Sequence, residues 1–185
     1  MARRSRITAE KVAGYLHSVD LAKLSGEARA RALRELAEDM VALPIEERRR
    51  ARLDAEWERW FHEMTDDEKG TFIEATLPSG FKQMLSSFEQ LPYEKRTNAI
   101  ERALRDLRRT REEMAHLEPG QAPWRAGTNL PPELSPELQK KVVTIGLKSL
   151  YSDSSAQTKA ELAPLLEEMQ RTMESGALFR QRRKE

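Results

Sequence analysis

Two of the three histidines stand near glutamates at spacings that metal sites use. His62-Glu63 matches the beginning of a zinc-protease signature, which needs a second histidine four residues after the first. Asp66 occupies that position, so the second ligand is missing. Glu113-x-x-His116 matches one half of a di-iron carboxylate site, and the sequence contains no second pair of this kind. We therefore predict no metal site and no cofactor.

Two further segments carry hydroxyl groups that phosphate binding or nucleophilic catalysis could use. GLKS at residues 146–149 lacks the upstream glycine of a phosphate-binding loop, and its lysine does not directly follow the glycine. The serines at 152–155 have no nearby histidine to act as a base, and we interpret them as a loop that caps the last helix. The chain has no cysteine, which removes thiolate ligands, cysteine nucleophiles and disulfides. We therefore predict no catalytic residue and no enzymatic activity.

A short phrase recurs along the chain and indicates where its elements begin. It consists of an apolar residue, then Ser, Thr or Pro, then any residue, then an acid. Ser25, Thr65 and Ser135 can accept hydrogen bonds from the unpaired N–H groups of a helix start. Thr65-x-x-Glu68 is a full capping box, prolines suit a first turn, and acids oppose the positive end of the helix dipole. The phrase therefore predicts helix N-termini. It begins at Leu24, Leu43, Met64, Leu91 and Leu134.

Apolar residues between these starts recur at steps of three and four, which is the periodicity of amphipathic helices. No segment alternates as a strand does. The sequence therefore predicts an all-α fold of about eight helices, arranged as an elongated array of helical hairpins. The predicted helices span residues 9–19, 26–42, 45–63, 66–76, 80–90, 93–117, 136–151 and 155–175. One apolar stripe, on the predicted helix 45–63 and the residue after it, contains Leu53, Trp57, Trp60, Phe61 and Met64.

One segment is rich in Pro and Gly and has no periodicity, and this composition predicts a linker. It spans residues 118–134 and precedes two helices that bury too little surface to stand alone. We expect this C-terminal pair to pack on the body of the protein or on a partner. The predicted organisation is a basic tail at 1–7, a helical body at 8–117, the linker at 118–134, a C-terminal helical pair at 135–175 and a basic tail at 176–185.

The repeated helix start resembles that of a group of bacterial helical proteins of unknown function, whose short helices begin with phrases such as LSPEER or LPPEER. The resemblance covers roughly residues 24–117. The segment FIEATLPSGFKQML at 72–85 and residues 118–185 lie outside it. It implies an all-α fold, and it implies no activity and no active residue.

Charge is balanced overall but not along the chain. The 32 Lys and Arg against 31 Asp and Glu give a net charge of +1, so no global field indicates nucleic acid or anionic lipid. The run Arg48-Arg49-Arg50-x-Arg52 has acids on both sides, and we interpret it as a solvated helix face. Both chain ends are basic, so contacts with an anionic partner are an alternative there. The residues of this alternative are Arg3, Arg4, Arg6, Arg180, Arg182, Arg183 and Lys184.

The predicted helix 93–117 carries an apolar stripe at coiled-coil spacing that Arg111 interrupts. A charge is rarely left unpaired in a buried seam. We therefore predict that the proximal half, with Tyr93, Ile100 and Leu104, is core, and that the distal half is a docking surface. An isolated tryptophan in the linker either packs on the body or docks in a partner. The predicted partner-binding residues are Leu107, Met114, Leu117 and Trp124.

These observations favour a scaffold or protein–protein interaction subunit of a larger assembly, with helix faces as its working surface. We expect a protein partner or self-association, and no small-molecule ligand. The alternatives are a nucleic-acid-associated protein that uses the basic termini and a membrane-proximal protein whose basic tails contact lipid. No apolar run approaches the ~18 residues of a membrane span. A cytoplasmic location is expected by default, and a membrane-anchored or periplasmic origin is left open.

Overall fold

The structure, a computed structural model, describes residues 7–115 and 134–174. Every strand-or-helix element within these ranges is helical, which confirms the all-α prediction with about eight helices. None of the helices in these ranges is long and apolar enough to cross a membrane. A 3-10 turn at Leu21–Lys23 follows α1. The helices are α1 (Ala9–Ser18), α2 (Gly26–Ala42), α3 (Ile45–Ala51), α4 (Ala55–Glu63), α5 (Asp66–Glu89), α6 (Tyr93–Ala115), α7 (Pro136–Asp153) and α8 (Ala156–Glu174).

Serine and threonine residues mark helix starts as the repeated phrase predicts. Ser25 is the N-cap of α2, Thr65 directly precedes α5, and Ser135 directly precedes α7. The capping box at Thr65 is complete. The Glu68 amide donates to Thr65 Oγ1 over 3.2 Å, and the Thr65 amide donates to Glu68 Oε2 over 2.8 Å. The interpretation of these phrases as helix starts is therefore confirmed.

The prediction of one helix over 45–63 is wrong, because the chain turns between α3 and α4. Asp54 is the N-cap of α4, and its Oδ1 accepts a hydrogen bond from the Glu56 amide over 2.9 Å. An N-cap residue has non-helical dihedral angles and therefore interrupts the preceding helix. Leu53, which the predicted stripe placed on the core side, is 79% exposed in this turn.

The prediction of two separate helices at 66–76 and 80–90 is also wrong, because α5 runs through Pro78. A proline removes one helical hydrogen bond and often ends a helix. Here packing holds the turns on both sides of it. Phe72 is buried before the proline, and Ser79, directly after it, accepts a hydrogen bond from a side chain of α3.

The chain divides into two compact units. Unit 1 consists of residues up to Met84 together with Glu137–Ser149, and unit 2 consists of Leu85–Pro136 and the residues from Leu150 onward. The predicted linker at 118–134 lies outside the described residues except for Leu134. The predicted boundaries of body, linker and C-terminal pair therefore stay predictions.

The core of unit 1 is built around aromatic side chains of α4. Trp60 is fully buried, and its indole N–H donates to the carbonyl of Leu16 over 3.2 Å. The ring of Trp57 lies 6.4 Å from that of Phe61 and 5.5 Å from that of Phe72. These contacts anchor α4 against α1 and α5.

An ion pair ties several helix ends of unit 1 together. Arg29 Nε donates to Glu68 Oε1 over 2.6 Å, and Arg29 Nη2 donates to Glu68 Oε2 over 2.9 Å. The same guanidinium donates to the carbonyls of Leu21 and Glu63. The bond to Arg29 is the largest of the effects that lower the pKa of Glu68. Glu68 therefore caps α5 and neutralises Arg29 at once.

In unit 2, α8 packs along α6 through charged side chains. Arg96 makes a two-fold bond with Glu161, with Nε–Oε2 at 2.7 Å and Nη2–Oε1 at 2.8 Å. Arg108 and Arg111 both contact the carboxylate of Glu168, whose side chain is 3% exposed. These pairs follow the same order on both helices, so α6 and α8 run in the same direction.

The prediction that the proximal half of the α6 stripe is core is partly wrong. Tyr93, predicted as core, is 64% exposed, whereas Ile100 is buried as predicted and Leu104 is half-buried. Arg111, whose charge the prediction left unpaired, forms an ion pair with the buried Glu168 of α8. The sequence could not show which helix would supply that carboxylate.

Candidate functional site

The residues with metal-site spacing do not form a site in the described ranges. His62 is exposed in the last turn of α4. Within residues 7–115 and 134–174, no group of three His, Asp or Glu side chains is placed as a metal ion would need. The side chain of Glu113 and the whole of His116 lie outside the described residues.

The hydroxyl-bearing segments shape the backbone. Ser155 Oγ accepts from the Thr158 amide over 3.1 Å, which confirms that the serine-rich loop caps the last helix. Ser154 is buried, and its hydroxyl donates to the carbonyl of Leu150. A Cβ atom at Gly146 would lie 2.9 Å from the ring of Phe81, so this glycine permits a close approach of two helices of unit 1.

A buried arginine on α3 is the most unusual polar feature of unit 1. Arg48 is 4% exposed. Its Nη2 donates to the carbonyl of Val41 over 3.1 Å, to the carbonyl of Leu43 over 3.5 Å and to Ser79 Oγ over 3.1 Å. The two carbonyls lie at the C-terminal end of α2, where the helix dipole is negative. Arg48 is therefore anchored between α2 and α5 by neutral groups.

The remaining nitrogens of this guanidinium have no partner. Arg48 Nε and Nη1 are enclosed without a hydrogen bond, and so is Nε of Arg52, one helical turn later. No carboxylate in the described ranges lies within ion-pair distance of either arginine. Burial, and then the charge of Arg52, lower the pKa of Arg48, and burial lowers the pKa of Arg52. A buried and a half-buried positive charge thus lie one helical turn apart.

Helix α5 completes the surroundings of this arginine pair. Gly80 comes so close that a Cβ atom there would lie 3.0 Å from Arg48 Nη1. The side-chain amide of Gln83 donates to the carbonyl of Leu43 over 3.3 Å, while its own oxygen is enclosed without a partner. We call Arg48, Arg52, Ser79 and Gln83 the arginine site. It combines unpaired donors with one unpaired acceptor.

Exposed apolar side chains occur next to this site along the chain. Val41, whose carbonyl accepts from Arg48, is 37% exposed; Leu53, which follows Arg52, is 79% exposed; and Met84, which follows Gln83, is 47% exposed. Large hydrophobic residues exposed beside one feature are typical of an interaction surface. Unit 1 therefore exposes an apolar side chain directly next in sequence to Arg52, to Gln83 and, at Val41, on a residue whose carbonyl binds Arg48.

The interpretation of the arginine run as a solvated helix face is wrong for two of its members. Arg49 and Arg50 are exposed, but Arg48 is buried and Arg52 is half-buried. A sequence signal existed in the spacing, because Arg48 lies three residues before the buried Ala51 and so shares its helix face. The acids on both sides of the run favoured the interpretation as a solvated helix face instead.

The residues that the sequence assigned to a partner surface are only partly described. Leu107 is half-buried on α6. The side chain of Met114 lies outside the described residues, as do Leu117 and Trp124. The basic end residues Arg3, Arg4, Arg6, Arg180, Arg182, Arg183 and Lys184 also lie outside them. Both assignments therefore stay predictions.

Comparison of the chain with protein-family models, curated proteins and solved structures gives no match. The chemistry of the arginine site is therefore inferred from its own geometry. Guanidinium groups do not lose their proton under ordinary conditions, so the pair keeps its positive charge despite burial. Buried charges without a counter-charge are destabilising by several kcal/mol. The arrangement is suited to binding an anionic group that arrives from outside.

Proposed function

We propose that this protein is a non-enzymatic helical interaction subunit, and that a partner protein docks on the face of unit 1 around the arginine site. The observation that supports this most strongly is the burial of Arg48 without a carboxylate partner. Such a charge weakens the free protein and gains its compensation when a partner supplies the missing counter-charge. Partner binding would then explain why Arg48 is buried without a carboxylate, which the fold alone does not require.

The exposed apolar residues next to the site along the chain support a protein as the partner. Interfaces between proteins commonly combine a buried charge contact with apolar side chains that exclude water around it. Val41, Leu53 and Met84 can supply that apolar surrounding. A small free anion would make no use of them.

Site-specific photo-crosslinking tests this proposal. A photoreactive phenylalanine analogue at Leu53 should crosslink a discrete protein in cells of the native host, because Leu53 is 79% exposed beside the arginine site. The crosslinked protein is identified by mass spectrometry and then produced for binding measurements. The matched control carries the same analogue at Arg31, an exposed residue on α2 more than two helical turns before Val41.

A specific adduct from position 53 that is absent from position 31 supports the proposal. Equal labelling of the same proteins from both positions would show random collision instead. A failure to crosslink from position 53, together with a specific adduct from α6 at Leu107, would move the docking surface to unit 2 and contradict the proposal.

A further inference from the structure

The two arginines of the site differ in what can reach them. Arg48 is enclosed, with its Nε and Nη1 inaccessible to solvent. Arg52 is half-buried; its Nε is enclosed, whereas its two terminal nitrogens are not, and no hydrogen bond joins them to another described residue. A ligand therefore reaches the pair through the outer edge of Arg52. Arg48 lies deeper in the protein, and its positive charge attracts the ligand without direct contact.

The open edge of Arg52 suits an anion that presents two adjacent oxygens. Its two terminal nitrogens form a planar fork, which matches the two oxygens of a carboxylate in a bidentate bond. Sites for phosphate groups use several converging donors, because a phosphate group presents three oxygens. The nitrogens of Arg48 are enclosed or already donating to carbonyls and to Ser79. A carboxylate therefore matches the two available donors of Arg52 better than a phosphate group does.

The residues next to the arginine site indicate which kind of molecule carries the carboxylate. The exposed Val41, Leu53 and Met84 favour a chain segment in which apolar side chains flank an acidic one. Glu46 and Glu58 are exposed near the arginine run and would repel a long polyanion such as nucleic acid. An acidic residue within an apolar peptide segment satisfies both conditions.

We propose that Arg52, with Arg48 behind it, binds a carboxylate of an acidic and apolar peptide segment, as the recognition contact of the partner protein. This inference rests on the proposed function and names the chemistry of its partner. Arg52 makes the direct contact. Arg48 is a positioning residue, because its bonds to α2 and Ser79 fix where the second charge lies.

Peptide binding to the purified full chain tests the proposal. The probe is a fluorescein-labelled heptapeptide with one central glutamate between leucine-containing flanks, measured by fluorescence anisotropy at low salt. Two further probes replace the glutamate with glutamine or with phosphoserine. The protein variants are Arg52→Gln and, as a matched control from the same arginine run, the exposed Arg49→Gln.

The glutamate peptide should bind the wild type, and Arg52→Gln should weaken it by about tenfold, the size expected for a lost charged hydrogen bond. Arg49→Gln and the wild type should bind it within about twofold of each other. The glutamine peptide should bind about tenfold more weakly than the glutamate peptide. If Arg52→Gln fails to fold, Arg52→Lys replaces it, since lysine keeps the charge and loses the fork.

Three results would overturn the proposal. They are no binding of the glutamate peptide to the wild type, equal loss in Arg52→Gln and Arg49→Gln, and tighter binding of the phosphoserine peptide than of the glutamate peptide. If any of them occurs while the analogue at Leu53 still crosslinks one protein, the carboxylate assignment is wrong and the docking surface stands. Loss of the crosslink removes the docking surface as well.

Discussion

Arg48 and Arg52 lie one helical turn apart; Arg48 is buried and Nε of Arg52 is enclosed, and neither residue has a carboxylate within ion-pair distance in the described part of the chain. Most buried arginines in proteins are paired. The contrast within this molecule is clear, because Arg29 and Arg96 each make a two-fold bond with a glutamate. We propose a different role for the unpaired site, and the following predictions test the stability of the paired and unpaired groups.

Replacing the buried Arg48 with methionine should leave the free energy of unfolding unchanged or raise it. Methionine removes the uncompensated charge and has a similar length, and such replacements of buried charges are often neutral or stabilising by about 1–4 kcal/mol. Against this stands the loss of the hydrogen bonds to Val41 and Ser79, about 1 kcal/mol each. Urea denaturation of Arg48→Met, with the exposed Arg49→Met as control, measures the balance. A loss above about 3 kcal/mol would show that Arg48 is a structural clamp.

The capping box at Thr65 should contribute to the stability of unit 1. Thr65→Ala removes the oxygen that accepts from the Glu68 amide, and loss of an N-cap costs about 1 kcal/mol. Thr65→Ser keeps that acceptor and should cost much less. Thermal unfolding of both variants checks this, and equal melting temperatures for the two would show that the hydroxyl does not matter.

The ion pair between Arg29 and Glu68 should make unit 1 sensitive to acid. The pKa of Glu68 is lowered in the folded state, first by its bond to Arg29. A carboxyl group with a lowered folded pKa stabilises above its unfolded pKa, and this stability is lost as the pH falls through the folded value. The stability difference between wild type and Glu68→Gln should therefore be constant at neutral pH and shrink below about pH 4.5. A difference that does not change with pH down to 3 would contradict the ion-pair assignment.

Two helical glycines should respond in opposite directions to the same change. Gly14 of α1 has nothing within 4 Å of an added Cβ atom, so Gly14→Ala should stabilise by up to about 1 kcal/mol through helix propensity. At Gly146 the added atom would lie 2.9 Å from Phe81, and overpacking costs about 1–3 kcal/mol. Gly146→Ala should therefore lower the melting temperature and Gly14→Ala should raise it. A rise in both would mean that α5 and α7 separate easily at Phe81.

Local chemistry made most of the fold predictable from the sequence. Helix starts depend on a few neighbouring residues, so Thr65 and Glu68 reveal the start of α5 without any knowledge of packing. Asp54 carried the same kind of signal, but the apolar stripe on both sides of it favoured one continuous helix. Pro78 misled in the other direction, because its local effect is offset by distant contacts at Ser79.

The candidate site could not be predicted in the same way, because burial of a charge depends on contacts between distant segments. Arg48 meets Ser79 from a helix 31 residues away in sequence. The pairing of Arg111 with Glu168 spans 57 residues, and the sequence does not predict it either. Sequence composition shows that acids and bases are balanced, but it does not show which of them meet.

The most direct test of the proposed docking surface places the missing carboxylate inside the protein. In Gln83→Glu, the new carboxylate replaces an amide that shares the carbonyl of Leu43 with Arg48. It should neutralise the arginine site from within, raise the melting temperature, and weaken binding of the partner crosslinked from Leu53 by about tenfold. Gln90→Glu, an exposed position with the same charge change, should alter neither value. Unchanged partner affinity in Gln83→Glu, measured by titration calorimetry, would contradict the arginine site as the place where the partner binds.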